Sequence, residues 1–226
     1  LFLTDHGYFK KTSLVSLRSS GEQKLKEDDT IVSVVETSNK AELLLFSDRQ
    51  NVYKAKVYEM PDSKASSLGD YLPNLLQMEA GERIVNITAT EDYSGFALFA
   101  FASGKMAKVP LPSYETKTNR KRLANAYSAA SPLVEVLFFQ EDMDLAAFGS
   151  TGKVLVFNTA SVPQKATRDS QGVNVLLSKK GSTLTALRRL DELEFADPNY
   201  YKTKNIPAVG CFLRKGDEVD KQISLF

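Results

Sequence analysis

The chain has 226 residues, 42% hydrophobic and 25% charged, and Lys+Arg 29 against Asp+Glu 28 leaves a formal net charge of +1. That is the balance of an ordinary globular chain with room for one large domain or two small ones, and no overall basic excess marks it as a nucleic-acid binder. One His6 and one Cys211 cannot supply a disulfide, a zinc tetrad or a Cys/His nucleophile pair with residues to spare, and no apolar run approaches the roughly 20 residues of a membrane-spanning helix.

In chain order, Leu1-Phe2-Leu3-Thr4 opens inside an apolar run with no charged leader, and reads as a strand cut from a longer polypeptide with no targeting segment. A turn at Asp5-His6-Gly7 then leads into a second strand, Tyr8-Phe9-Lys10-Lys11. The charged turn Lys24-Leu25-Lys26-Glu27-Asp28-Asp29 precedes a strand at Ile31–Val35. The segment Phe46 to Lys54 then aligns without a gap on Leu3 to Lys11. A strand of the Ile31 type returns at Ile84–Thr88, Leu133–Leu137 and, more weakly, Thr183–Leu187, with a last copy at Lys221–Phe226. The hairpin turn returns at Phe101–Met106 and Gly149–Val154, and the charged turn at Gln77–Arg83, Ser178–Ser182 and Arg214–Val219. Gly7, Gly104 and Gly152 share one place in the repeat, which predicts a turn needing positive φ there.

Units starting near 31, 84, 133, 183 and 221 are spaced by roughly the 40–50 residues of a four-stranded propeller blade. The expected fold is therefore all-β, one domain over 1–226, with about five four-stranded blades. Each blade is expected to begin with its Ile31-type strand. The last strand, Lys221–Phe226, is expected to complete one blade with residues 1–14, closing a ring and removing free sheet edges. In the degenerate unit over 183–219, Leu193 to Tyr201 stands where a hairpin would be, as a short helix or a loop.

The runs Gly7-Tyr8-Phe9-Lys10-Lys11-Thr12, Asn51 to Pro61 and Lys24 to Asp29 resemble the C-terminal domain of the A subunit of bacterial type IIA topoisomerases, gyrase or topoisomerase IV. The resemblance covers nearly the whole chain. It implies a β-pinwheel, a propeller-like ring whose blades exchange strands. It also implies a non-catalytic role: binding or bending double-stranded DNA on the outer rim and steering which DNA topology the parent enzyme handles. Gyrase carries a Gln-Arg/Lys-Arg-Gly-Gly-Lys-Gly box in the first blade, whereas this chain reads Ser16-Leu17-Arg18-Ser19-Ser20-Gly21-Glu22-Gln23-Lys24. The departure favours a topoisomerase IV-like subunit, with a gyrase domain carrying a degenerate box as the alternative. The implied partners are the rest of the A subunit, with the ATPase B subunit reached through it. Also implied are a bacterial cytoplasmic location with the nucleoid, no contact with membranes, and no cofactor or metal in this part.

Phosphate binding needs local basic density. Lys105 to Arg122 sets Lys105, Lys108, Lys117, Arg120, Lys121 and Arg122 against Glu115 alone. Lys153 to Arg189 sets Lys153, Lys165, Arg168, Lys179, Lys180, Arg188 and Arg189 against Asp169 alone. Lys10, Lys11, Lys54 and Lys56 occupy equivalent blade positions, and Arg18 lies where the box would be. These residues, other than Lys179, Lys180, Arg188 and Arg189, form the predicted DNA-contacting set. The plain alternative for each is solvated surface that aids solubility and blocks edge pairing. His6 reads as a turn residue and Cys211 as a small core residue. A propeller serving as a protein-interaction platform is the rival function. An enzyme in a central channel is the more distant one, for want of converging carboxylates and histidines.

Overall fold

The computed structural model describes residues 1–20, 22–118, 120–177 and 181–217. The chain packs as two compact units, Leu1–Tyr93 with Tyr114–Ala126, and Ser94–Ser113 with Tyr127–Phe226. Each holds two four-stranded antiparallel sheets.

Every sheet is built on a hairpin: β1 Phe2–Thr4 with β2 Tyr8–Lys10, β4 Glu42–Ser47 with β5 Val52–Lys56, β8 Phe96–Phe101 with β9 Lys105–Pro110, and β12 Asp144–Gly149 with β13 Lys153–Asn158. Outside the first strand of each hairpin lies a strand from later in the chain: β3 Ile31–Val34, β7 Ile84–Thr90, β11 Leu133–Phe139 and β15 Leu184–Arg189. Outside the second lies a two-residue strand from later still: β6 Asp70–Tyr71, β10 Arg122–Leu123, β14 Val173–Asn174 and β16 Cys211–Phe212. The order is thus β3-β1-β2-β6, repeated as β7-β4-β5-β10, β11-β8-β9-β14 and β15-β12-β13-β16. Strands β4 and β8 are buried along almost their whole length, which is why they read as continuous apolar runs rather than alternating ones.

The repeat holds down to single hydrogen bonds. The N–H of Asp5, Asp48, Ala102 and Ser150, just past each first strand, donates to the carbonyl of Thr30, Arg83, Pro132 and Thr183 at 2.9, 2.9, 2.9 and 2.8 Å. The carbonyl of the turn residue, Gly7, Gln50, Gly104 or Gly152, accepts from Leu72, Ala126, Leu176 or Leu213 at 2.9, 2.8, 3.1 and 2.9 Å. All four turn residues have positive φ, from 56° at Gln50 to 84° at Gly7, so the shared glycines meet a backbone requirement that Gln50 meets at a steric cost. Each outer pairing also carries a register shift next to the turn.

Two expectations change. The Ile31-type strand pairs backwards onto the preceding hairpin (Phe2 faces Val34, Leu3 faces Ser33) instead of opening its own blade. Closing that shorter loop costs less chain entropy than waiting for the far end of the chain. The first sheet therefore takes all four strands from residues 2–71, and the closing strand expected at Lys221–Phe226 lies outside the described residues. Among the described residues there are four such sheets rather than five, because Leu184–Arg189 is the outer strand of the fourth. Over Leu193–Tyr201 no hairpin forms; the segment is a loop ending in a 3₁₀ turn, Pro198–Tyr201.

The first unit's core gathers Leu3, Phe9, Leu43, Leu45, Tyr53, Leu72 and Ile87. The second has one cluster on Leu98, Phe139, Leu145, Leu155, Phe157 and Leu187, and another where Phe195 and Tyr201 cover Val154 and Val156. Cys211 is only half-buried, at the margin of the latter. Where the short outer strands cross their hairpins the backbones nearly touch: a Cβ on Gly172 would lie 1.9 Å from the Met106 carbonyl oxygen, at a φ of +74°. Gly172→Ala is accordingly expected to cost about 3 kcal/mol or more, read as a lower urea midpoint.

Candidate nucleic-acid interface

Three lysines occupy one place, four residues after the turn residue: Lys11, Lys54 and Lys108, with Val156 in the fourth copy. All three are buried. The Lys11 ammonium donates to the Val57 carbonyl at 3.1 Å and pairs with Asp62 at 3.1 Å. Lys54 donates to the Tyr114 carbonyl and to Thr116 Oγ1, both at 3.1 Å, lies 3.5 Å from Glu42 Oε2 and sits 5.2 Å above the Tyr93 ring. Lys108 meets Asp142 at 2.7 Å and the Thr159 carbonyl at 3.2 Å, above the Phe96 and Phe139 rings at 4.5 and 5.5 Å. Lys10, 1% exposed, donates to the carbonyls of Lys24 and Ala65 at 2.6 and 3.1 Å. Burial pulls the pKa of Lys10 and Lys54 below the ordinary lysine value; at Lys54 it outweighs the opposing pull of Glu42. The expectation that these four line a rim open to phosphates therefore gives way. Their ammonium groups are committed to backbone carbonyls and, at Lys11, Lys54 and Lys108, to carboxylates of the same fold.

Other members of the predicted set are partly engaged. Lys56 pairs with Glu42 at 3.4 Å, Lys105 donates to Gln171 at 3.0 Å, Lys153 lies 4.9 Å over Phe212, and half-buried Arg168 donates to the Ser113 carbonyl at 3.0 Å. Lys165 is half-buried, its backbone N–H bonded to the Lys108 carbonyl at 2.8 Å. Arg18 is exposed on the short helix α1, Leu14–Ser20. Lys179 and Lys180 lie outside the described residues.

One group is exposed together: Lys117, Arg120, Lys121 and Arg122, on the loop entering β10. Its base is tied down from beneath. Buried Lys54 grips Tyr114 and Thr116, the Lys54 N–H donates to the Lys121 carbonyl at 2.8 Å, and Thr116 Oγ1 donates to the Thr118 carbonyl at 2.8 Å. A buried lysine thus positions the exposed ones. Arg122 reaches Glu79 at 3.1 Å and the Tyr53 hydroxyl; its pKa is raised first by Glu79 and then by Tyr53.

The charged turns carry a second feature that a count of charges does not show. Asp29, Glu82 and Asp217 are buried carboxylates. Asp29 accepts from the backbone of His6, which does sit in a turn, and of Thr30, both at 2.9 Å. Glu82 accepts from Ser47, from Asn51 Nδ2 at 2.8 Å, from Tyr53 at 2.7 Å and from the Glu79 N–H at 3.3 Å. Asp217 accepts from the Ala196 N–H at 2.8 Å and the Tyr201 hydroxyl at 2.7 Å. For Asp29 and Glu82 burial pushes the pKa up, yet the hydrogen bonds outweigh it and hold both below the ordinary carboxylate value; Asp217 is held low chiefly by the Ala196 N–H. The signal was visible, since Asp29 and Glu82 each stand two residues before an Ile31-type strand. Among the described residues no cluster of His, Cys, Asp or Glu is placed to hold a metal ion, and no helix is long and apolar enough to cross a membrane.

The family model described as DNA gyrase C-terminal domain, beta-propeller, matches residues 1–38 and 144–191. Each stretch holds one hairpin with its long outer strand. The A subunit of DNA topoisomerase 4 from Staphylococcus aureus is 25% identical over 173 residues, which is 74% of this chain and 22% of that protein; the chain thus spans about a fifth of the relative's length. Among solved structures, a C-terminal domain of DNA topoisomerase IV superposes with a TM-score of 0.71 at 25% identity, covering 84% of this chain and 60% of that one. The E. coli ParC C-terminal domain gives 0.70 at 13% identity, with 94% and 92% covered, and so supports the fold. A gyrase A C-terminal domain gives 0.55 at 19% identity, with 85% and 64% covered. In sequence and in fold the chain is thus similar to the C-terminal β-propeller domains of topoisomerase IV and gyrase A subunits.

Proposed function

We propose that the chain is the non-catalytic, DNA-binding C-terminal domain of a type II topoisomerase A subunit, holding duplex DNA by its phosphates and steering which DNA the parent enzyme handles in the topoisomerase IV manner. The observation that carries this is the exposed group Lys117, Arg120, Lys121 and Arg122, opposed within its loop by Glu115 alone and fixed from beneath by Lys54. Phosphate contacts from such a loop position DNA without selecting its sequence. Exposed Arg18 and half-buried Lys56, Lys105, Lys153, Lys165 and Arg168 are the secondary contacts. The partners are the remainder of the A subunit, with the ATPase B subunit reached through it, in a bacterial cytoplasm at the nucleoid. No cofactor takes part in this domain's role.

The test is fluorescence anisotropy of the 226-residue chain with a labelled duplex of roughly 40 bp across a salt series. The Lys117→Ala, Arg120→Ala, Lys121→Ala, Arg122→Ala variant should bind more weakly to every sequence. Its salt slope should be shallower by about 0.9 for each phosphate no longer neutralised. A second reading, a platform for another protein, draws on the exposed apolar side chains Ile31, Val32 and Val34 of outer strand β3. Absence of duplex binding at low salt would put that reading first.

A further inference from the structure

Glu79 stands between two arginines that separate parts of the first unit bring together. Arg122 opens β10, and Arg49 occupies the turn between β4 and β5. Arg49 Nη1 lies 3.1 Å from one Glu79 carboxylate oxygen and Arg122 Nη1 lies 3.1 Å from the other. Arg49 Nη2 is held by the Ala80 carbonyl at 2.9 Å. The place is built rather than accidental, because the Glu79 backbone N–H is anchored on buried Glu82 at 3.3 Å. Yet all three side chains stay open to water, with 46%, 44% and 51% of Arg49, Arg122 and Glu79 exposed.

Two guanidinium groups converging on the two oxygens of one planar anion is also the arrangement that takes the two non-bridging oxygens of a phosphodiester. We infer that Arg49 and Arg122 form a phosphate site for duplex DNA which Glu79 fills in the free domain, and that a backbone phosphate displaces the carboxylate on binding. The inference rests on the DNA-binding function proposed above and adds to it a site residue, Arg49, and an internal competitor, Glu79. Glu79 then acts as a brake: each duplex bound must first expel a carboxylate, so nearby phosphates meet less net positive charge than the four loop residues suggest.

The experiment is anisotropy with the same labelled duplex at low salt, using the full 226-residue chain. Glu79→Gln keeps the size of the side chain and removes its charge. It should bind about fivefold tighter, as expected for removing a unit charge roughly 4 Å from a phosphate in water. The same substitution on an Arg49→Ala, Arg122→Ala background should bring no gain. Thermal melting should hardly move, because half-exposed ion pairs contribute little stability. Wild-type binding with no gain from Glu79→Gln, or a gain that persists without the two arginines, would overturn the inference and leave the DNA-binding function standing. Failure of the wild-type chain to bind at all would overturn that function itself.

Discussion

Replacing Lys108 by alanine is expected to destabilise the second unit by about 3 kcal/mol while leaving the duplex affinity of the folded protein unchanged. The side chain is 7% exposed and its ammonium is bonded to Asp142 and the Thr159 carbonyl over two aromatic rings, so its removal takes away an ion pair, leaves the Thr159 carbonyl with the Val162 N–H as its remaining donor, and opens a void between Phe96 and Phe139. Asp142 is 41% exposed and can rehydrate, which keeps the cost at the lower end for a broken buried pair. Lys108→Met, which keeps the stem, should restore part of the packing but not the bond to Thr159. Urea unfolding followed by circular dichroism reads the first effect, and anisotropy corrected for the folded fraction reads the second. A Lys108→Ala protein that unfolds like wild type but loses DNA would return this lysine to the binding surface.

Glu82→Gln should cost about 2–4 kcal/mol, because four donors converge on a carboxylate that is only 2% exposed, and an amide presents its own N–H groups to some of them. The same group sets part of the acid limb of stability. Its folded pKa is held below the ordinary 4.5, so its contribution is fully present above that value and is lost as the pH falls through the lowered one. Asp29, Glu42, Asp142 and Asp217 act in the same direction. Glu135 runs the other way: burial raises its pKa, so its effect favours the fold at low pH and fades as the pH rises through the raised value. The sum predicts stability that falls steadily below about pH 4.5. In Glu82→Gln that fall should be shallower, and an unchanged acid limb would show that Glu82 titrates alike in both states. Tyr53, pushed up to about 12 by burial and then by Glu82, should remain protonated throughout this range.

Much of the fold was legible because its repeat is local. The turn glycines and the apolar runs of β4 and β8 are properties of a few adjacent residues, and they mark the hairpins and their spacing. Pairing was not legible. Whether Ile31–Val34 joins the hairpin before it or after it depends on loop closure and on the Asp5-to-Thr30 backbone bond, which no local pattern encodes. The two-residue strands β6, β10, β14 and β16 are too short to leave any periodicity. For the candidate interface, a count of basic residues found the loop Lys117–Arg122 but could not tell it from Lys10, Lys11, Lys54 and Lys108. A lysine in a strand looks the same whether its stem threads the core to a carbonyl or points into water. A clue was available: Lys11, Lys54 and Lys108 recur at one place after the turn. Regular recurrence inside an apolar repeat is what a structural role demands, and an irregular loop can meet DNA without it. Arg49 and Glu79 were missed because one lies in a turn and the other in a charged loop, and only folding brings both to Arg122.

The division of lysines into those that hold the sheets and those that meet DNA is tested most directly by acetylating the native chain, with and without saturating duplex, and reading each lysine by mass spectrometry. Lys117 and Lys121 should react readily in the free chain and be protected by DNA, while Lys10, Lys54 and Lys108 should stay slow in both. Rapid labelling of Lys10, Lys54 and Lys108 that DNA suppresses, with Lys117 and Lys121 unaffected, would contradict it.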